Sequence, residues 1–219
     1  MPLLLNLKYQ IEESSKRAMP MKSKAIALIA SFAAIAIVLN IVKIPVIYLP
    51  GLAYSPLEIP VVVALLLFGF KIGVLVEVLH VGGQLLFFPA GPPGFAIYPM
   101  GMVALLLMFV GVYFANRFLT RKARSRETLD KRKTLVYLTA FAAVFRGGLM
   151  PLIDYGLLYH ILLPLFLGTN IPEAYIVGLV PGFVLYNVTV ALYTIPIAYV
   201  IATKMGSALT LQTRFLKQI

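Results

Sequence analysis

Three polar side chains that could carry out chemistry lie within one long apolar stretch of the sequence. Glu77, His80 and Gln84 are spaced at i, i+3 and i+7, so a helix would place them on one face. Glu-x-x-His at this spacing can bind a metal, but di-metal bundles need a second copy of the motif, and the sequence has none. We therefore predict no metal site. Two roles remain for this face: packing between helices and lining of a cavity.

Two further apolar stretches carry polar residues. Arg146 and Asp154 lie eight residues apart in one of them. A buried arginine is costly without a counterion, so we predict that Arg146 pairs with Glu77 or Asp154, either as a structural ion pair or as part of a ligand site. Tyr186 and Asn187 lie in the middle of the last apolar stretch. An interfacial aromatic belt does not explain that position, which favours cavity lining.

The composition limits which elements can hold these groups. Of the 219 residues, 61% are hydrophobic and 12% are charged, whereas soluble domains average about 45–50% and about 25%. A soluble fold of this size cannot bury so much apolar surface, which excludes a soluble enzyme and a disordered chain. The sequence has no cysteine, and therefore no thiolate metal ligand or cysteine nucleophile. The remaining class is an all-α polytopic membrane protein.

The distribution of basic residues predicts the topology. Lys and Arg number 19 against 8 Asp and Glu, and they concentrate before residue 25, at 117–133 and after residue 203. Cytoplasmic loops collect Lys and Arg, so all three clusters are assigned to the cytoplasm and even numbers of spans must separate them. A spanning helix needs about 20 residues, and Gly69 to Gly73 supplies a turn that divides one long stretch. The six predicted transmembrane helices are 25–42, 57–69, 72–88, 98–116, 134–168 and 172–203.

This topology predicts a single membrane domain over 1–219 with both termini in the cytoplasm. It comprises a cytoplasmic N-terminal segment (1–24) with a short interfacial helix, a six-helix bundle (25–203) with a basic cytoplasmic loop (117–133), and a cytoplasmic tail (204–219). We expect the protein in the prokaryotic cytoplasmic membrane.

Outer loops are expected at about 43–57, 89–95 and 168–172. The first contains three prolines and two tyrosines. Because proline restricts its own backbone and that of the preceding residue, we expect an extended, stiff segment that forms a lid over a cavity.

Several catalytic motifs are missing. The sequence contains no phosphate-binding loop of the G-x-x-x-x-G-K-[ST] type, no H-E-x-x-H and no G-x-S-x-G. We therefore predict that the protein is not an enzyme, has no ATPase site of its own and needs no cofactor. A cavity lined by aromatic and amide side chains suits capture of a small planar or amphipathic solute.

Several stretches resemble the S components of energy-coupling factor (ECF) vitamin transporters. Ser-Pro-Leu-Glu-Ile-Pro at 55–60, followed by Leu-Leu-Phe-Gly-Phe-Lys-Ile-Gly at 66–73, is similar to the family's second span. Asp154-Tyr155 with Leu-Pro-Leu at 163–165 resembles an Asn-Tyr…Leu-Pro-Leu stretch of the riboflavin-type branch, and Tyr186-Asn187 resembles its Phe-Asn. Asp154 departs from the asparagine of that branch, and Val190 stands where it often has a lysine.

The resemblance implies a membrane-embedded substrate-binding subunit with six helices. It would capture a vitamin, with riboflavin the nearest guess, and dock on a transmembrane coupling subunit driven by two ATPase subunits, with no role for nucleic acid. The family's docking motifs on the first helix correspond here to Ala30 and Ala34. The candidate substrate-binding residues are Asn40, Lys43, Tyr48, Tyr54, Glu58, His80, Gln84, Asp154, Tyr155, Tyr186 and Asn187.

The alternative is a stand-alone carrier driven by an ion gradient. In that case Glu77, Asp154 and His160 would act as relay groups within the membrane.

Overall fold

The computed structural model describes residues 21–49, 52–88, 91–123, 130–168 and 170–208. The predicted interfacial helix, much of the basic loop and most of the C-terminal tail lie outside these residues. The elements are α1 (Met21–Leu39), β1 (Ile44–Pro45), β2 (Ala53–Tyr54), α2 (Glu58–Phe68), α3 (Phe70–Phe87), α4 (Pro92–Ala123), α5 (Lys131–Ile153), a π-helical segment (Asp154–Leu162), α6 (Leu163–Leu167) and α7 (Glu173–Ala208).

The predicted break between the second and third helices is confirmed. Helix α2 ends at Phe68, α3 begins at Phe70, and Gly69 between them has φ of 93°. Side chains with a Cβ rarely adopt this conformation, so glycine allows the chain to end one helix and start the next at a single residue.

Helix α2 lies in the centre of the described bundle. Its 11 residues rise about 16 Å at 1.5 Å per residue, which is shorter than the hydrocarbon core of a bilayer. Every side chain from Pro60 to Leu67 is buried, and the neighbours are α1, α3, α4 and α7. A helix that is apolar on all faces and has no exposed face packs as a core element.

The other helices show the surface of a membrane protein. Four of them are long and apolar enough to cross a membrane, namely Phe70–Phe87, Ile97–Arg121, Lys131–Phe166 and Glu173–Ser207, and shorter apolar helices cover Ile26–Leu39 and Glu58–Phe68. Leu86, Val144 and Leu152 are exposed on their outer faces, while Glu77 and Arg146 are buried inside. This distribution is stable where the surroundings are lipid rather than water.

Helix α5 continues into the π-helical segment, which the sequence did not predict. The segment begins shortly after Pro151 and ends just before Pro164. A proline has no backbone N–H, so the carbonyl four residues before each of these prolines loses its α-helical partner. A wider turn can accommodate the changed hydrogen bonding. The widened turns carry Asp154 at their first position, where it is buried.

Candidate functional site

A cavity of about 280 Å³ lies between the β1–β2 hairpin, the end of α1, helices α2 to α5 and α7, and the π-helical segment. Its size is just below the usual range for small-molecule sites, about 300–1,000 Å³. It brings together these predicted site residues: Asn40, Lys43, Glu58, His80, Gln84, Asp154, Tyr186 and Asn187. Tyr48, Tyr54 and Tyr155 are not among its lining residues, within the part of the chain that the structure describes.

Arg146 forms the centre of one cavity wall, with a partner that the sequence analysis did not choose. Its Nη1 and Nη2 atoms donate to the two carboxylate oxygens of Glu58 at 2.5 and 2.9 Å. The prediction of Glu77 or Asp154 is therefore wrong. Glu58 occupies the first turn of α2, which packs inside the bundle and brings this carboxylate within reach of α5.

Asn187 completes the coordination of Arg146. Arg146 Nε donates to Asn187 Oδ1 at 3.0 Å, and Asn187 Nδ2 donates to the Phe183 carbonyl at 2.9 Å. Arg146 is 2% exposed, so this network supplies the hydrogen bonds that a buried guanidinium needs. The arrangement joins α2, α5 and α7 at the cavity and leaves Arg146 neutralised.

A second polar pair lies on α3. His80 Nδ1 and Glu77 Oε2 are 2.9 Å apart, and both side chains are buried. His80 Nε2 and Asn40 Nδ2 are buried without a hydrogen-bond partner among the described residues, and both residues line the cavity. Buried polar atoms are nearly always satisfied by protein, water or ligand. Asn40 and His80 therefore bring unsatisfied polar groups close to the cavity.

Stacked tyrosines form the wall next to the hairpin. Tyr186 lines the cavity, and its ring stacks on Tyr54 with centroids 5.2 Å apart. The Tyr54 hydroxyl hydrogen-bonds to Thr189 at 2.7 Å and to Tyr48 at 2.5 Å. Desolvation, followed by the hydrogen bond to Tyr54, raises the pKa of the Tyr48 hydroxyl. Tyr54 thus supports the wall from behind, and Tyr48 extends the same network towards the surface.

The β1–β2 hairpin and the residue before it contribute Lys43, Leu52 and Ala53 to the cavity wall. Ile44 pairs with Tyr54 in antiparallel register. The two ends of the segment that was predicted to be extended therefore pair with each other and form a short hairpin. Leu49 is buried against α7, where a Cβ added to Gly182 would lie 2.9 Å from the Leu49 side chain. Tyr186 also donates from its hydroxyl to the Ala53 carbonyl at 3.1 Å. These contacts fix the hairpin to α7.

Tyr155 takes part in a cluster outside the cavity. Its hydroxyl donates to Glu173, and His160 bonds to the second oxygen of Glu173 at 3.0 Å. His160 Nδ1 lies 2.6 Å from the Tyr155 carbonyl. The cluster connects the π-helical segment to the start of α7, so Tyr155 and His160 hold the ends of two elements together.

Several lining residues were missed by sequence reasoning. They are mostly apolar or small and include Ile97, Met100, Gly101, Ala104, Met150 and Leu158. Apolar residues carry no signal of their own in a chain this apolar. The glycine and alanine on α4 were a usable signal, because small residues at helical spacing can leave space for a ligand. Among the described residues, no group of three His, Asp or Glu side chains could hold a metal ion.

Comparison with known proteins identifies the fold. The structure of the S component of a bacterial ECF transporter matches with a TM-score of 0.62 and 21% sequence identity, covering 86% of this chain and 99% of that one. No protein-family model and no curated protein matches the sequence. The chain therefore has the fold of an ECF transporter S component. The prediction of a helical membrane protein is confirmed to this extent: the described residues are almost all helical, and four of the helices are long and apolar enough to cross a membrane.

Proposed function

We propose that this protein is the membrane-embedded substrate-binding subunit of an ATP-driven importer of a vitamin or related small planar solute. The observation that carries the proposal is a cavity lined by buried polar side chains, in a chain that has the S-component fold. The proposal includes six transmembrane helices, both termini in the cytoplasm, and location in the cytoplasmic membrane.

In this proposal the substrate enters from outside, beneath the β1–β2 hairpin. Binding energy has to offset the loss of ligand freedom, and a site already held in shape reduces that cost. The Arg146–Glu58 ion pair and the tyrosine wall provide such rigidity. Energy for transport would come from a coupling subunit and two ATPase subunits, because the sequence itself has no phosphate-binding loop.

Riboflavin is the first ligand to test, on the basis of the sequence resemblance to the riboflavin-type branch. We expect purified protein in detergent, without ATP, to quench riboflavin fluorescence on titration, or to retain a vitamin that mass spectrometry identifies. A Tyr186→Ala variant, which removes one aromatic wall, should bind more weakly. Absence of flavin affinity in folded protein would exclude riboflavin, and absence of any bound or retained solute would contradict the capture function.

The second candidate is a carrier that works alone with an ion gradient. It is favoured by the buried titratable groups Glu77, His80 and Asp154, which all line the cavity. Proteoliposomes that contain this protein only should then show substrate uptake that depends on a pH gradient. The importer proposal expects no uptake until the partner subunits and ATP are added.

The exposed small residues of α1 are the proposed docking surface. Ala30 and Ala34 are exposed on the described bundle, and small residues allow another helix to approach closely in a membrane. We expect Ala34→Phe to reduce co-purification with a co-expressed coupling subunit by at least about tenfold, equivalent to about 1.4 kcal/mol, with substrate binding unchanged.

The matched control is Leu192→Phe, at an exposed position of α7. It adds an aromatic ring to the outer surface without touching α1. Equal loss of co-purification in both variants, or retention of the complex by Ala34→Phe, would contradict the docking assignment.

A further inference from the structure

The charged groups of the cavity do not balance once their pairs are accounted for. Six residues with acidic or basic side chains line it: Lys43, Glu58, Glu77, His80, Arg146 and Asp154. Glu58 is paired with Arg146, and Glu77 with His80. The two that remain are Lys43, which is exposed at the rim, and Asp154, which is 6% exposed.

Asp154 has no partner within the described part of the chain. No hydrogen bond or ion pair from a described residue reaches its carboxylate, and Arg146 acts on it only through its longer-range charge. Three of the five N–H donors of Arg146 bind Glu58 and Asn187, and the other two make no hydrogen bond to Asp154. A buried carboxylate without a counterion is unfavourable, and the open side of Asp154 is the cavity.

We propose that Asp154 selects the substrate by charge, and that the substrate presents a cationic N–H group, such as a protonated amine, to this carboxylate. The proposal rests on the proposed function, since it concerns the ligand of the same cavity. Charge-assisted hydrogen bonds are about twice as strong as neutral ones, so this contact would discriminate strongly in a site shielded from water.

Two other features of the cavity agree with a cationic, planar solute. Tyr186 presents an aromatic ring at the cavity wall, and aromatic faces attract cations. His80 Nδ1 lies against the Glu77 carboxylate, so a protonated His80 balances Glu77 and leaves Asp154 as the carboxylate available to a cation.

The test uses pairs of planar solutes that differ in one charged group. In the first pair, pyridoxamine has a protonated amine where pyridoxine has a hydroxyl. In the second pair, tyramine and tyrosol differ in the same way. Riboflavin is an uncharged reference. Binding is measured by titration calorimetry on the full chain in detergent. The variants are Asp154→Asn, which removes the charge and keeps the shape, and Asp130→Asn, a matched change at the N-cap of α5.

We expect at least one amine to bind at least about 30-fold more tightly than its neutral counterpart. This factor is the lower end of the affinity loss observed when one partner of a buried charge pair is removed. Asp154→Asn should remove this preference, and Asp130→Asn should keep it. The proposal is overturned if no amine binds, or if the amine preference survives in Asp154→Asn. Tighter binding of riboflavin than of every amine would overturn charge selection and leave the capture function standing, whereas no binding or retention of any solute would count against both.

Discussion

Replacing Arg146 by methionine is expected to destabilise the protein by about 3–5 kcal/mol, the cost of breaking a buried ion pair from one side. The substitution leaves the Glu58 carboxylate, which is 14% exposed, without its counterion. It also leaves Oδ1 of the Asn187 side chain without its hydrogen bond from Arg146. Unfolding by denaturant in detergent micelles, followed by circular dichroism, measures the change.

The double variant Arg146→Met with Glu58→Gln tests the cause. It removes both charges, so we expect it to recover most of the lost stability, because replacing both members of a buried pair is often close to neutral. Arg117→Met is the control, since Arg117 is exposed on α4 and should change stability by less than about 0.5 kcal/mol. A single variant at Arg146 that is as stable as the unmodified protein would contradict the assigned role of the pair.

Substitution of Gly111 by alanine is expected to destabilise the contact between α4 and α5. An added Cβ would lie 2.6 Å from the Phe141 carbonyl oxygen and 2.8 Å from the Ala142 Cα. Both are backbone atoms, so the helices must separate rather than a side chain rotate. Overpacking of this kind costs about 1–3 kcal/mol. Denaturant unfolding measures it, and ligand affinity should fall as well, because α4 and α5 both line the cavity.

Gly148→Ala is the matched control for this prediction. Gly148 lies on α5, and a Cβ added there meets nothing within 4 Å. Alanine is a better helix former than glycine by about 1 kcal/mol, so this variant should be as stable as the unmodified protein or slightly more stable. If Gly111→Ala behaved in the same way as Gly148→Ala, the close approach of α4 and α5 would not be limiting.

The helical layout was predictable because its signals are local. Apolar stretches of sufficient length, and glycines around Lys71, are properties of neighbouring residues. They placed the change from α2 to α3 within Gly69–Gly73, and the structure has it at Gly69. The same local reasoning did not predict the π-helical segment after Pro151, since a proline in an apolar helix is compatible with a kink, a break or a wide turn.

The composition of the cavity was partly predictable for a similar reason. Polar residues within apolar helices are costly in lipid, so Glu77, His80 and Asp154 were expected inside the bundle. They are buried there and line the cavity. Tyr155 has the same chemistry as Tyr186, but the turn at which it emerges directs its hydroxyl to Glu173 instead. Where a helix departs from regular α geometry, the sequence spacing no longer tells to which side of the helix a side chain points.

The sequence by itself determined that this chain forms apolar helices and that its few buried charges lie among them. Only the tertiary structure decided how those charges pair. Glu58 and Arg146 are 88 positions apart, and their contact depends on the short, central α2, whose first turn places Glu58 within reach of Arg146 on α5. Sequence spacing gives the face of one helix but not the rotation and depth of its neighbours. Those are set by close packing, such as the approach of α4 to the α5 backbone at Gly111. That packing leaves Asp154 as the buried carboxylate that faces the cavity without a partner among the described residues.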